Sequence, residues 1–239
     1  MQNREYNYEQ NRGNMIARGS ATAAISPAAS KVLKNTYTLL AMTLLFSAVM
    51  AGVSMSIGLG RGASLLCSLG ALALVWLVLP RTANSSTGIG VVFAFTGLLG
   101  LSLGPILNFY LQMANGGQIV MQALGGTALV FFALSGYVLT TKKDFSFMRG
   151  MLVAGLVVVL VAALGAMVAG MFGVEITAFS LAISAAIVFL MSGFILYDTS
   201  RIINGGEQNY ILATTGLYLN IYNLFVALLQ LIGAFSGED

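Results

Sequence analysis

Beyond its first three dozen residues the chain is a succession of apolar runs separated by brief polar interruptions. Seven runs read as helices: Leu39–Leu59, Ala63–Leu79, Ile89–Leu111, Ile119–Thr140, Met151–Phe172, Ile176–Tyr197 (with helical periodicity carried on to Ile203) and Ile211–Phe235. Most reach the roughly 20 residues that cross a bilayer's hydrocarbon core; the second is short. The connections leave no room for a soluble domain. The pattern predicts an all-α, polytopic membrane protein with a seven-helix transmembrane domain over residues 36–239. Residues 1–35 differ. Gln, Asn and Glu dominate as far as Asn14, and small residues fill Ser20–Ser30. No compact apolar run with a small-residue cleavage site occurs there, so this is not a signal peptide. It reads as a disordered N-terminal arm.

The polar positions inside the apolar runs are the informative ones. Asp198 is the one carboxylate placed within a spanning helix. The periodic pattern stops at Gly205-Gly206, a helix-ending signal, so Asp198 lies roughly 8–10 Å before that end. A carboxyl at such depth needs a partner, a wet cavity or a proton. The last helix offers partners. Gly216, Asn220, Asn223, Ala227, Gln230 and Ala234 recur at spacings of four and three, which places them on one face, with Leu217, Leu219, Leu224, Leu228 and Leu231 on the other. A small-and-polar stripe is costly against lipid, so this helix is expected to be surrounded by others. Asp198 is expected to face Asn220, Asn223 or Tyr222.

Composition agrees and narrows the classes. The chain is 58% hydrophobic and 8% charged, a balance foreign to soluble domains of this length. The lipid bilayer is its solvent. A net charge of +3 with no basic patch interleaved with aromatics gives no reason to expect nucleic acid. The absence of histidine removes His triads, His proton relays and His-ligated metals. Cys67, the single thiol, allows no internal disulfide and reads as a small core residue. With the N-terminus in the cytoplasm, every Lys and Arg except Arg61 falls on the cytoplasmic side. This is a decisive positive-inside bias, and seven crossings then put the C-terminus in the periplasm.

Other motifs resolve to packing. Gly100-Leu101-Ser102-Leu103-Gly104 has the spacing of a serine-hydrolase elbow, but no histidine exists to serve as base. Gly100 and Gly104 are also spaced for close helix contact, as are Ala48, Gly52 and Ser56, and Ala162, Ala166 and Gly170. Gly104-Pro105 is expected to kink the third helix. Tyr197-Asp198 is similar to the tyrosine-aspartate pair of intramembrane aspartyl proteases, but the last helix carries no second acid. Arg201 and Glu207 read as a loop salt bridge, and Lys142–Phe147 as an interfacial anchor for the fourth and fifth helices.

Four stretches carry a resemblance: Lys31–Leu40 (KVLKNTYTLL), Phe93–Asn108 (FAFTGLLGLSLGPILN), Gly125–Phe147 (GGTALVFFALSGYVLTTKKDFSF) and Tyr197–Gly233. Together they resemble the Bax inhibitor family, also called transmembrane Bax inhibitor motif proteins, and its bacterial branch most closely. The resemblance implies a seven-helix fold with the C-terminal helix central and six others wrapped around it. It implies that the chain interacts with the membrane-anchored AAA protease FtsH and restrains it, as bacterial members do. Other members are pH-sensitive calcium leaks governed by an aspartate pair. The first of that pair matches Asp198; the second falls on Asn220, and the arginine that the family carries on its second helix has no counterpart within Ala63–Leu79. The expected function is therefore an inner-membrane modulator of FtsH, not an enzyme and without cofactor. Its N-terminal arm, with Met1, Arg4, Arg12 and Arg18, would be the handle the protease pulls. The alternative is a pH-sensitive calcium or cation leak gated at Asp198, with Asn220, Asn223 and Tyr222 as sensing residues.

Overall fold

The computed structural model describes residues 25–236, and all elements among them are helical. Seven helices are long and apolar enough to cross a membrane: α1 (Pro27–Ser56), α2 (Arg61–Thr82), α3 (Ser86–Leu111), α4 (Gly116–Thr141), α5 (Arg149–Met171, with a 3₁₀ turn at Ser146–Met148), α6 (Thr177–Ile203) and α7 (Tyr210–Ser236). The protein is a multi-pass membrane protein. The proposed handle residues Met1, Arg4, Arg12 and Arg18 lie outside the described residues.

Two of the boundary differences from expectation are informative. α1 starts at Pro27, so residues 27–35 of the expected arm are helical. Ser26 accepts a hydrogen bond from the Ala29 amide at 3.1 Å and Pro27 occupies the first turn, a start signal the polar Lys31 and Lys34 obscure. α2 extends to Thr82 rather than Leu79; it holds one π-helical turn at Leu74–Val78, just ahead of Pro80. Such a turn absorbs the missing proline N–H without ending the helix.

The close pairing of α1 with α3 comes from missing side chains. The Ser47 carbonyl occupies the place where a Cβ on Gly100 would stand, and the Ser54 side chain the place of one on Gly104. α3 runs through Pro105 without a break in its helical course. Pro105 has no N–H for the Leu101 carbonyl one turn back. Ser54 of α1 donates its hydroxyl to that carbonyl instead, at 2.6 Å.

α7 is the central helix, as expected. Leu217, Tyr218, Leu224 and Leu229 on it are completely or almost completely buried. It touches α1, α3, α4 and α6, four helices rather than six. α2 leans only on α3 and α5 only on α6. The reason is visible in α5: Val153, Val157, Val161 and Leu164 are exposed, an apolar surface that lipid covers as well as protein does. Charge separates between the two ends of the bundle. The end holding the α1 N-terminus carries Lys31, Lys34, Arg81, Lys142, Lys143, Arg149 and Arg201; among the described residues the other end has Arg61 alone.

Candidate functional site

The site lies where α6 meets α7 near the basic end. α6 ends as its sequence predicts: Gly205 adopts φ 76°, and the Gly206 amide donates back to the Arg201 carbonyl at 2.8 Å. Asn209 then starts α7 by accepting from the Ile211 amide at 2.9 Å. Its own side-chain NH2 donates to the Ala83 carbonyl at 2.9 Å and Asn84 Oδ1 at 2.8 Å, tying this turn to the α2–α3 connection.

With the hairpin fixed at its turn, two polar side chains meet across it. Asn220 Nδ2 donates to Asp198 Oδ2 at 2.7 Å. One turn earlier, Gly216 leaves the space the carboxyl needs: a Cβ there would stand 3.1 Å from Oδ2. Arg201 turns away. It bonds Glu207 at 3.2 Å, the expected salt bridge, and lies over the Tyr197 ring at 5.6 Å. Asp198 therefore has an amide for its partner rather than a cation.

The remaining polar residues of α7 go elsewhere. Gln230 staples the far end of the hairpin, accepting from Ser184 at 2.8 Å and donating to Ser180 at 2.5 Å. Asn223 does not reach Asp198; it is exposed and donates to the Leu219 carbonyl at 2.8 Å. Three residues at roughly 100° each put it about 60° off the Asn220 direction and a turn further along. Tyr222 is directed elsewhere as well, two residues on and on the opposite side of α7, where it hydrogen-bonds Ser102 at 3.0 Å. The single small-and-polar face with leucines opposite is thus only half right. Leu217 and Leu224 are core residues, since four neighbouring helices bury more than one side of α7.

Tyr218 is the residue the sequence reading missed. It is buried at the centre, its hydroxyl bonded to Ser47 at 2.7 Å and donating to the Thr96 carbonyl at 3.3 Å. Its ring meets Phe95 edge-on at 5.4 Å. One side chain so joins α1, α3 and α7. The available signal was the Tyr218–Tyr222 pair at one-turn spacing. A second polar seam, Ser135 with Thr199 at 3.2 Å, links α4 to α6 beside Asp198.

The Lys142–Phe147 segment anchors to the same end of α6. The Phe145 amide donates to Ser200 Oγ at 2.9 Å, and Asp144 Oδ1 accepts from the Ser146 amide at 2.8 Å and its hydroxyl at 2.6 Å. Those two bonds hold the Asp144 carboxyl below the usual carboxylate range. Among the described residues no three His, Cys, Asp or Glu side chains gather to hold a metal. The arrangement pairs one carboxyl with one amide and joins helices.

This bundle with its central C-terminal helix has known relatives. A family model described as "Inhibitor of apoptosis-promoting Bax1" matches residues 29–237, and the chain belongs to that family. It is 52% identical over 209 residues to a protein of Escherichia coli K12 named "Modulator of FtsH protease YccA", covering 87% of this chain and 92% of the relative. The version from E. coli O6:H1, named "Inner membrane protein YccA", matches equally. An "Uncharacterized membrane protein" of Vibrio cholerae is 50% identical over 210 residues, 88% of this chain and 92% of its own.

Proposed function

We propose that the protein is an inner-membrane modulator of the membrane-anchored protease FtsH that holds the enzyme back rather than serving as an enzyme itself. The observation that carries this reading is the 52% identity, over nearly the full length of both chains, to the relative named as modulator of FtsH. The basic end faces the cytoplasm on the positive-inside argument. The polar N-terminal residues 1–24, with Met1, Arg4, Arg12 and Arg18, are the handle the AAA machinery takes, and the interlocked helices behind it resist extraction and occupy the enzyme. A cation leak gated at Asp198 is the weaker reading, because its one carboxyl is paired with an amide.

The test is proteolysis of a membrane substrate by FtsH in membranes with and without this protein, repeated after deleting residues 1–20. The full chain is expected to slow substrate loss and to co-purify with FtsH; the deletion is expected to abolish the slowing. Substrate loss at the same rate with and without the full chain refutes modulation. Unchanged restraint by the deletion variant removes only the handle.

A further inference from the structure

α3 and α6 both pack on α7, yet no Cα of one lies within 8 Å of a Cα of the other. The contacts of α7 fix which of its residues look out between them. Gly216 and Asn220 face Asp198 on α6, and Tyr222 meets Ser102 on α3. At roughly 100° per residue Asn223 lies between those two directions, about 60° from Asn220 and about 100° from Tyr222. It is exposed, with the half-buried Leu219 and Val226 a turn to either side. Its depth is the unusual feature. Asn223 stands thirteen residues from Tyr210 and thirteen from Ser236, the two ends of α7. That is roughly 20 Å from either end, the middle of the bilayer. Lysine or arginine could extend to the headgroups, but asparagine is too short. Its Nδ2 donates to the Leu219 carbonyl at 2.8 Å, and its side-chain oxygen accepts from none of the described residues. Acyl chains hold no donor for that oxygen, so lipid is a poor cover for this face.

Toward the end that holds Arg61 the same face of α7 opens into a cavity of about 360 Å³, lined by Arg61 and Ser64 of α2, Phe109 and Tyr110 of α3, and Val226 and Gln230 of α7. Gln230 is committed to Ser180 and Ser184. Arg61 is exposed and forms no ion pair among the described residues. The cleft therefore offers an apolar slot with an unanswered acceptor at mid-depth and a cation at one mouth. A membrane-spanning helix is the occupant that meets both. Its backbone is satisfied internally, and side-chain hydrogen bonds between helices are how such segments hold one another. We propose that the α3–α6 cleft is the seat of a transmembrane helix of FtsH, one that carries a hydrogen-bond donor opposite Asn223 and an acidic or polar residue beside Arg61. The proposal rests on the reading as an FtsH modulator and adds where the protease is held: its membrane anchor lies against α7, while its AAA machinery takes the N-terminal arm.

Site-specific photo-crosslinking of the full chain in membranes that contain FtsH tests it. A crosslinking residue at Val226 is expected to form an adduct with FtsH, and one at Val157, on the exposed face of α5, is not. Asn223→Leu is expected to lower co-purification with FtsH by about tenfold, the worth of one hydrogen bond between helices, and to weaken the restraint on proteolysis. Its unfolding midpoint in detergent is expected to match the parent's, because the bond it loses lies within its own helix at an exposed position. Asn223→Gln, which keeps the amide, is expected to retain most of the binding. An adduct at Val226 with lipid alone or with a second copy of this chain overturns the proposal. So does Asn223→Leu that co-purifies with FtsH and slows proteolysis as the parent does, and that result leaves the modulator reading standing. A parent chain that neither co-purifies with FtsH nor slows proteolysis overturns both. The crosslinking arm keeps Asn223 in place, so it decides the matter even where Asn223→Leu alters the fold.

Discussion

At the scale of residues, the Asp198–Asn220 contact is where a polar interaction is enforced by its surroundings. Removing one member leaves the other without its partner in an apolar setting, which costs about 1–3 kcal/mol, whereas removing both is close to neutral. Asn220→Leu is therefore expected to lower the thermal unfolding midpoint in detergent, and adding Asp198→Leu to recover most of the loss; additive losses would show that the two side chains act separately. Asp144 gives the pH-dependent counterpart. Its carboxyl titrates below the usual range because the Ser146 amide and hydroxyl stabilise the charged form, so the contribution is present above about pH 4 and is lost as pH falls through the lowered value. Ser146→Ala keeps the amide and removes the hydroxyl. Hydrogen exchange at Phe145–Met148, corrected for intrinsic rates, is expected to rise at a higher pH in that variant than in the parent. Matching pH profiles would show that the hydroxyl does not stabilise the loop. How far these residues could be read beforehand follows from what a helix period encodes. It puts Asn220 and Asn223 on neighbouring positions of one face, but it does not say at which height the facing helix presents its acid. Nor does it disclose that Tyr218, polar at one atom only, carries the central junction to Ser47 and Thr96.

At the scale of elements, α3 continues through Pro105, and α1 supplies the hydrogen bond that the proline removes. Ser54→Ala is expected to destabilise the protein by about 1–2 kcal/mol, the cost of leaving the Leu101 carbonyl unsatisfied. In a Pro105→Ala background the restored N–H bonds that carbonyl, and the same Ser54 change is expected to cost much less. Denaturation in a double-mutant cycle measures the coupling, and zero coupling would mean that Ser54 acts by packing alone. The spans themselves were legible because seven apolar runs with short polar breaks leave few alternatives, and the end of α6 was legible because Gly205 takes a positive φ that glycine alone adopts freely. The start of α1 was not, since two lysines in its first turns interrupt the apolar run while Ser26-Pro27 supplies the cap. What answers Pro105 was not legible for a tertiary reason: the freed Leu101 carbonyl is bonded by Ser54 of another helix, which the local pattern does not disclose.

At the scale of the whole molecule, resistance to being pulled apart is set by what holds the first helix. Under the proposed function, force enters ahead of α1, and α1 is held along α3 by glycine-mediated contact and to α7 through Ser47 and Tyr218. α5 touches only α6 and plays no part in that first step. Two variants separate local grip from global stability. Gly100→Ala drives a methyl into the Ser47 backbone and is expected to cost about 1–3 kcal/mol by overpacking the α1–α3 seam. Gly193→Val crowds Leu152 at the α5–α6 seam, where a Cβ would stand 2.6 Å from Leu152 Cδ2. With unfolding midpoints matched by adjusting the second substitution, the α1–α3 variant is expected to be degraded several-fold faster by FtsH and to lose its restraint on other substrates. The α5–α6 variant is expected to behave as the parent. A chase of protein levels in cells with and without FtsH reads both. Equal degradation of the two variants would mean that global stability governs the outcome, and the assignment of α1 as the point of resistance would fail while the family membership stood.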